Sequence, residues 1–173
     1  MKTLTKIGLL TAMVLMFTAL VALAEDKAAP TVEEQMAGLT KMCTDSAGDR
    51  AERQEKDPLY DRLGGYDKIH TMVLEVIRLH NENDQIKHTM EGVDEEALAK
   101  HLTDFISAGT GGTAEYSGRN LYDSHAHLEL TDADFLSAGG DIMEAMTNLE
   151  YGENEINDFV CILVSMKDQV VFK

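Results

Sequence analysis

The stretch Asp94-Glu95-Glu96-Ala97-Leu98-Ala99-Lys100-His101-Leu102-Thr103-Asp104-Phe105-Ile106 decides the fold class. Asp94 is the kind of short polar residue that caps a helix N-terminus. Leu98, His101, Leu102 and Phe105 then recur at the i, i+3, i+4, i+7 spacing of one helical face. Upstream, Ile69, Met72, Val73, Val76 and Ile77 form a second apolar face at the same period. Downstream, Thr131 caps a stretch carrying Phe135, Ile142, Met146 and Leu149, and a last one carries Ile156, Phe159, Val160, Leu163 and Val164. No segment alternates convincingly with the two-residue period of a strand, so an all-α fold is predicted. Gly111-Gly112 and Gly118 interrupt the helical pattern. They lead into a short helix within Arg119-Asn120-Leu121-Tyr122-Asp123-Ser124-His125-Ala126-His127-Leu128.

A chain of 173 residues holds one domain of ordinary size plus extensions. The pattern from 58 to 171 supplies the core of that domain. Ahead of it, Met1-Lys2-Thr3-Leu4-Thr5-Lys6 and the apolar run from Ile7 to Ala24, ending in Ala22-Leu23-Ala24, have the form of a secretory signal with a small-residue cleavage site. Left uncleaved, the run is near the lower limit for a membrane anchor. Cleaved at 24, it predicts an exported, periplasmic protein with no stable membrane association. Loss of Lys2 and Lys6 leaves 13 basic against 31 acidic side chains. That excess argues against nucleic acid or anionic lipid as partners. It serves solubility, and it would also steer a basic redox partner, although no local motif marks one.

Residues 25–57 read as a polar linker with one short helix, in which Thr31 and Glu34 have capping-box spacing and Val32, Met36, Leu39 and Cys43 recur at helical spacing. This helix either docks on the core or tethers it. The run Asp49-Arg50-Ala51-Glu52-Arg53-Gln54-Glu55-Lys56-Asp57 carries alternating charge and reads as a solvated spacer or exposed helix. Pro58 opens the domain. Of the two cysteines, Cys43 precedes the domain and Cys161 lies in its last helix. A disulfide between them, an intermolecular bridge through Cys43 and a buried unpaired Cys161 are all compatible with the pattern. A disulfide would close a loop of more than a hundred residues and add about 5 kcal/mol through chain entropy.

Taken together, Leu59-Tyr60-Asp61-Arg62-Leu63-Gly64-Gly65, the Gly111-Gly112 pair, Tyr116-Ser117-Gly118-Arg119 and the histidine that follows resemble the group I truncated haemoglobins. The likeness runs from about Pro58 to Val171. It implies a truncated globin fold, the 2-over-2 helical sandwich, around a non-covalent haem b that reversibly binds a diatomic gas (O2, NO or CO). It places His125 as the proximal iron ligand, with His127 pointing elsewhere. Neutral imidazole suits that role because one ring nitrogen offers a lone pair while the other donates to a neighbour that fixes the ring. Leu98, Leu102, Phe105, Leu121, Phe135, Ile77 and Met90 would line the pocket together with Ala138 and Ile142, and Arg119 or Lys100 would meet the propionates. The chain lacks Cys-x-x-Cys-His, which excludes c-type attachment. No histidine follows His127 to make the covalent link known in cyanobacterial relatives.

The distal side departs from the family. Relatives commonly place a tyrosine on the B helix and glutamines on the E helix, where this chain has Ile77, Leu98 and Leu102, and Met90 stands where a pocket phenylalanine is expected. A donor to bound dioxygen contributes on the order of 1 kcal/mol or more in a dry pocket, so its absence should favour release or leave carbon monoxide relatively preferred. His101 matches the E-helix position from which a distal histidine binds iron in cyanobacterial members, and otherwise sits at the pocket rim. Three readings follow: a gas-binding truncated haemoglobin, a six-coordinate bis-histidine protein for electron transfer or redox protection, and a structural globin-like domain without haem. No phosphate loop, nucleophile elbow or His-Glu-x-x-His is present, so any catalysis, such as NO dioxygenation or a peroxidase-like side reaction, would be haem chemistry.

Overall fold

The computed structural model describes residues 29–173, and the predicted signal segment lies outside the described residues. Thr31 opens α1 (Val32–Asp45) with a capping box: its hydroxyl accepts from the Glu34 N–H at 3.2 Å, and its own N–H donates to the Glu34 carboxylate at 2.8 Å. After Ser46 comes α2 (Ala47–Lys56), and after Pro58 the single turn α3 (Leu59–Arg62). Gly64, at φ 86°, makes the left-handed turn into α4 (Gly65–Glu82). A 3-10 turn, Lys87–Met90, leads to α5 (Glu95–Thr110), whose cap Asp94 accepts from the Ala97 N–H. The five-residue α6 (Leu121–His125) is capped by Asn120 and runs on as a 3-10 turn, Ala126–Leu128. Thr131 and Asp134 form a second capping box at the start of α7 (Asp132–Asn148), and α8 (Glu153–Met166) passes into a 3-10 turn, Lys167–Gln169. No strand occurs among the described residues.

The central helix is α4, which packs against α5 on one side and α7 on another. Its Ile69, Met72, Val73 and Ile77 join Leu59, Leu63, Ala99, Met146 and Phe159 in one buried cluster. The predicted α4 face is thus the core face. On α5 the helical period holds but the buried side differs. Ala99, Thr103, Ser107 and Thr110 are buried, whereas Leu98, Leu102 and Phe105 are half-buried and His101 is exposed. The physical reason is close approach of neighbouring backbones: small side chains admit it, and the Thr103 hydroxyl removes its own polarity by donating to the Ala99 carbonyl at 2.7 Å.

Tyr60 joins the two Gly-Gly turns. Its hydroxyl accepts from the Tyr66 N–H at 3.1 Å, just after Gly64-Gly65. Its ring lies so close to Gly112 that a Cβ there would stand 2.6 Å from two ring carbons and 2.8 Å from the Ser107 carbonyl oxygen. Gln54 adds a third strand of contact: its side chain accepts from the Leu59 N–H at 2.9 Å and donates to the Thr110 carbonyl at 3.3 Å.

The segment ahead of Pro58 forms two helices, and α1 docks on α7 and α8 through buried Met36 and Cys43. Cys43 and Cys161 form a disulfide across a sequence separation of 118 residues. The charged run proves to be helix α2, with no buried residue of its own. Two of its side chains nevertheless reach the domain: Gln54 as above, and Arg53, which donates to Asp158 of α8 at 2.5 Å and 3.1 Å. Arg62 completes the cluster by donating to Asp158 at 2.6 Å and Glu155 at 2.8 Å. Asp158 is only 6% exposed, so two guanidinium partners offset its desolvation. Among the described residues no helix is long and apolar enough to cross a membrane.

Candidate functional site

His125 is the last residue of α6, a helix so short that its geometry depends on local bonds. The Asn120 side chain accepts from the Asp123 N–H at 2.8 Å and starts the turn. One turn later, His125 Nδ1 lies 2.8 Å from the Leu121 carbonyl oxygen. A carbonyl only accepts, so the ring proton sits on Nδ1 and Nε2 carries the lone pair. Partial burial pushes the His125 pKa down, the Leu121 carbonyl opposes that shift, and nearby His127 adds to it; the ring is neutral at neutral pH. A neutral imidazole with its second nitrogen fixed by a backbone acceptor is the donor arrangement that suits a metal-centred cofactor.

The other predicted residues divide between several elements. Ile77 is buried on α4, and a cleft of about 480 Å³ between α4 and α5 is lined by it together with His70, Leu74, Arg78, Asn81, Glu95 and Ala99. No other residue predicted for the site reaches that cleft. Leu98 and Leu102, half-buried on α5, and Met90, which ends the 3-10 turn Lys87–Met90, pack against the edge of the core cluster, as does Ile142 of α7. Leu121, Phe135 and Ala138 are likewise half-buried. Apart from Ala138 these are large apolar side chains, a composition suited to a flat apolar ligand.

His101 is exposed, and its ring meets Tyr116 edge-on, with centroids 6.4 Å apart. Phe105 meets the same tyrosine at 5.1 Å. No hydrogen bond or ring contact joins His101 to His125 among the described residues. Arg119 is exposed, and its guanidinium has no polar partner among the described residues; its carbonyl accepts from the Tyr116 hydroxyl at 2.6 Å. Lys100, the alternative cation, is committed to Asp104 at 2.5 Å, which also accepts from the Tyr66 hydroxyl at 2.7 Å.

Tyr116 is the residue that sequence reading quoted without giving it a role. It covers the outer face of α5 at Phe105 and His101, and its ring leaves no room for a side chain at Gly118, where a Cβ would fall 2.4 Å from the tyrosine oxygen. The signal lay in the Tyr-x-Gly spacing. His70 and His80, unassigned from sequence, serve the scaffold: His70 Nδ1 is 3.1 Å from the Thr103 hydroxyl, and His80 Nδ1 is 2.8 Å from Asp141 of α7.

Residues 58–172 match the family described as bacterial-like globin. A group 1 truncated haemoglobin of Tetrahymena pyriformis is 21% identical over 115 residues, covering 66% of this chain and 95% of the relative. One from Tetrahymena thermophila is 26% identical over 82 residues, 47% of this chain and 68% of that protein. Among solved structures, the Fe(III) form of the T. pyriformis truncated haemoglobin superposes with a TM-score of 0.63 at 20% identity, over 68% of this chain and all of that one. The 2/2 haemoglobin of Synechococcus, in the cyanomet state with covalently attached haem, gives 0.61 at 22% identity, over 65% of this chain and 94% of that one.

Proposed function

The chain belongs to the bacterial-like globin family, and from that premise we propose that it holds a non-covalent haem b through His125 and reversibly binds a diatomic gas. The observation that carries this reading is the 2.8 Å bond between His125 Nδ1 and the Leu121 carbonyl, which leaves Nε2 as a neutral donor. Haem, when bound, would supply an iron centre able to take a diatomic gas. Leu98, Leu102, Phe105, Leu121, Phe135, Ile142 and Met90 would bury the macrocycle, and that burial gives most of the binding energy. Arg119, with its guanidinium free of protein partners, is better placed by chemistry than Lys100 to meet a propionate.

The distal wall would carry no hydrogen-bond donor. Ile77 is apolar and buried, Leu98 and Leu102 are apolar, the Thr103 hydroxyl is spent on Ala99, and the Tyr116 hydroxyl is spent on Arg119. Oxygen is therefore released readily and carbon monoxide is relatively preferred. The edge-on contact of His101 with Tyr116 favours a rim position for His101 over the bis-histidine reading. Export to an oxidising compartment is proposed as well, and the Cys43–Cys161 disulfide supports it.

The test is the visible spectrum of the haem-reconstituted protein, reduced and without oxygen, beside the His125→Ala and His101→Ala variants. A high-spin spectrum lost in His125→Ala and retained in His101→Ala is expected. Low-spin bands that become high-spin in His101→Ala would replace this reading with six-coordination. Haem uptake that ignores His125 would sink it.

A further inference from the structure

We infer that the segment Val170–Lys173 is a strap that positions the His125 helix, with Phe172 and Lys173 as positioning residues for the iron ligand; this rests on the reading of His125 given above. No residue of α6 is fully buried, and the helix packs against its own continuation, Ala126–Leu128, and against the 3-10 turn Lys167–Gln169. A helix of five residues placed in this way needs fastening from outside, because its own hydrogen bonds do not sustain it. The strap provides that on both sides of His125. Three residues before it, Tyr122 meets Phe172 edge-to-face, with centroids 5.1 Å apart and planes at 88°. Four residues after it, the Glu129 carboxylate accepts from Lys173 Nζ at 2.6 Å. Five residues after it, the Leu130 carbonyl accepts from the N–H groups of Phe172 at 3.1 Å and Lys173 at 3.3 Å.

Two further observations fit positioning better than burial. Tyr122 and Phe172 are 57% and 36% exposed, so their contact gives orientation with little gain from desolvation. Glu129 has φ 51°, a left-handed conformation that a residue with a Cβ adopts at a cost, and Lys173 holds this residue where the chain turns from the histidine helix toward α7. With Tyr122 and Leu130 both held, the Leu121 carbonyl that fixes His125 Nδ1 keeps its place, and so does the ring's rotation.

The experiment compares the full chain with its Phe172→Ala and Phe172→Tyr variants. Amide hydrogen exchange across residues 121–130 is measured without haem. With haem added, the rate of haem loss and the resonance Raman band of the iron–histidine stretch are measured. In Phe172→Ala, exchange across α6 and haem loss should both rise about threefold to tenfold, the weight of one aromatic pair. The iron–histidine band should shift or broaden, which a merely stabilising contact would not cause, and Phe172→Tyr should restore all three. Unchanged exchange and an unchanged band in Phe172→Ala would overturn the strap. Failure of the unaltered chain to take up haem would instead overturn the reading of His125, and the haem-free exchange comparison would still decide the strap.

Discussion

The α1–α2 segment and the Gly111–Leu130 connection both lie outside the main cluster, and each buries few side chains of its own: Met36 and Cys43 in the first, Leu130 in the second. They are attached in opposite ways. The α1–α2 segment is fastened by long-range bonds: the disulfide to Cys161, Arg53 to Asp158 and Gln54 to Thr110. The connection that carries His125 is held by short-range bonds, the Asn120 cap and the His125–Leu121 contact, and by the strap from the end of the chain. The region that only supports the domain is thus clamped by a covalent bond and a buried ion pair, and the region that carries the candidate ligand is held by exposed contacts that are individually weak. Loops placed on a firm scaffold commonly carry function in this way, and local stability is lowest where contacts are fewest.

The largest effect should come from the covalent clamp. Cys43→Ser with Cys161→Ser should lower stability by up to about 5 kcal/mol, measured by urea unfolding, because the 118-residue separation no longer limits the unfolded chain. Haem affinity measured well below the unfolding midpoint should change little, and a large loss there would erase the distinction between the two regions. Next, Asp158→Ala should cost about 3 kcal/mol by the same assay, since it leaves the partly buried Arg53 guanidinium without a carboxylate and Arg62 with Glu155 alone. Gly112→Ala, which tests the joint where the loop leaves the scaffold, should cost about 2 kcal/mol by crowding the Tyr60 ring and the Ser107 carbonyl. Tyr60→Leu should relieve part of that loss, and absence of coupling between the two changes would refute the joint.

The smallest effect is the pH dependence, and it should separate the regions by window. Burial alone would raise the Asp158 pKa, but hydrogen bonds from Arg53 and Arg62 outweigh it and hold the carboxyl below the usual range. Its contribution is therefore present above about pH 4 and lost as pH falls through the lower folded value. His125 is depressed by burial, so its neutral form contributes fully above about pH 6.5 and the contribution is lost as pH falls through its folded value. Hydrogen exchange followed from pH 7.5 to 3.5 should show α6 loosening first and the α2–α8 contact last. Loss of both together would contradict the assignment.

Much of the helical frame was legible because its signals are short-range. The caps Thr31, Asp94 and Thr131 act within three residues, and the apolar periods act within two turns. The buried side of α5 was not legible, because hydrophobic patterning ranks Leu98 and Phe105 above Ala99 and Thr103, whereas close helix approach buries the smaller set. His125 could be singled out by its position after the glycine turns, but the state of its ring could not, because that depends on which acceptor Nδ1 meets. The strap was invisible for the same kind of reason: Phe172 and Tyr122 are 50 residues apart, and nothing local links them.

By itself, then, the sequence determined most of the helices, the caps Thr31, Asp94 and Thr131, the glycine turns and the histidine that follows those turns, since all of these are set by backbone sterics and neighbours within a turn or two. Only the tertiary structure decided that Cys43 pairs with Cys161, that Arg53 and Arg62 share Asp158, that Tyr60 occupies the space Gly112 leaves open, and that Lys173 and Phe172 hold the His125 helix. Those contacts join residues 42 to 118 positions apart, all beyond the reach of local pattern; they form because the packed helices bring them within bonding distance, where geometry selects one partner among many of the same chemical type.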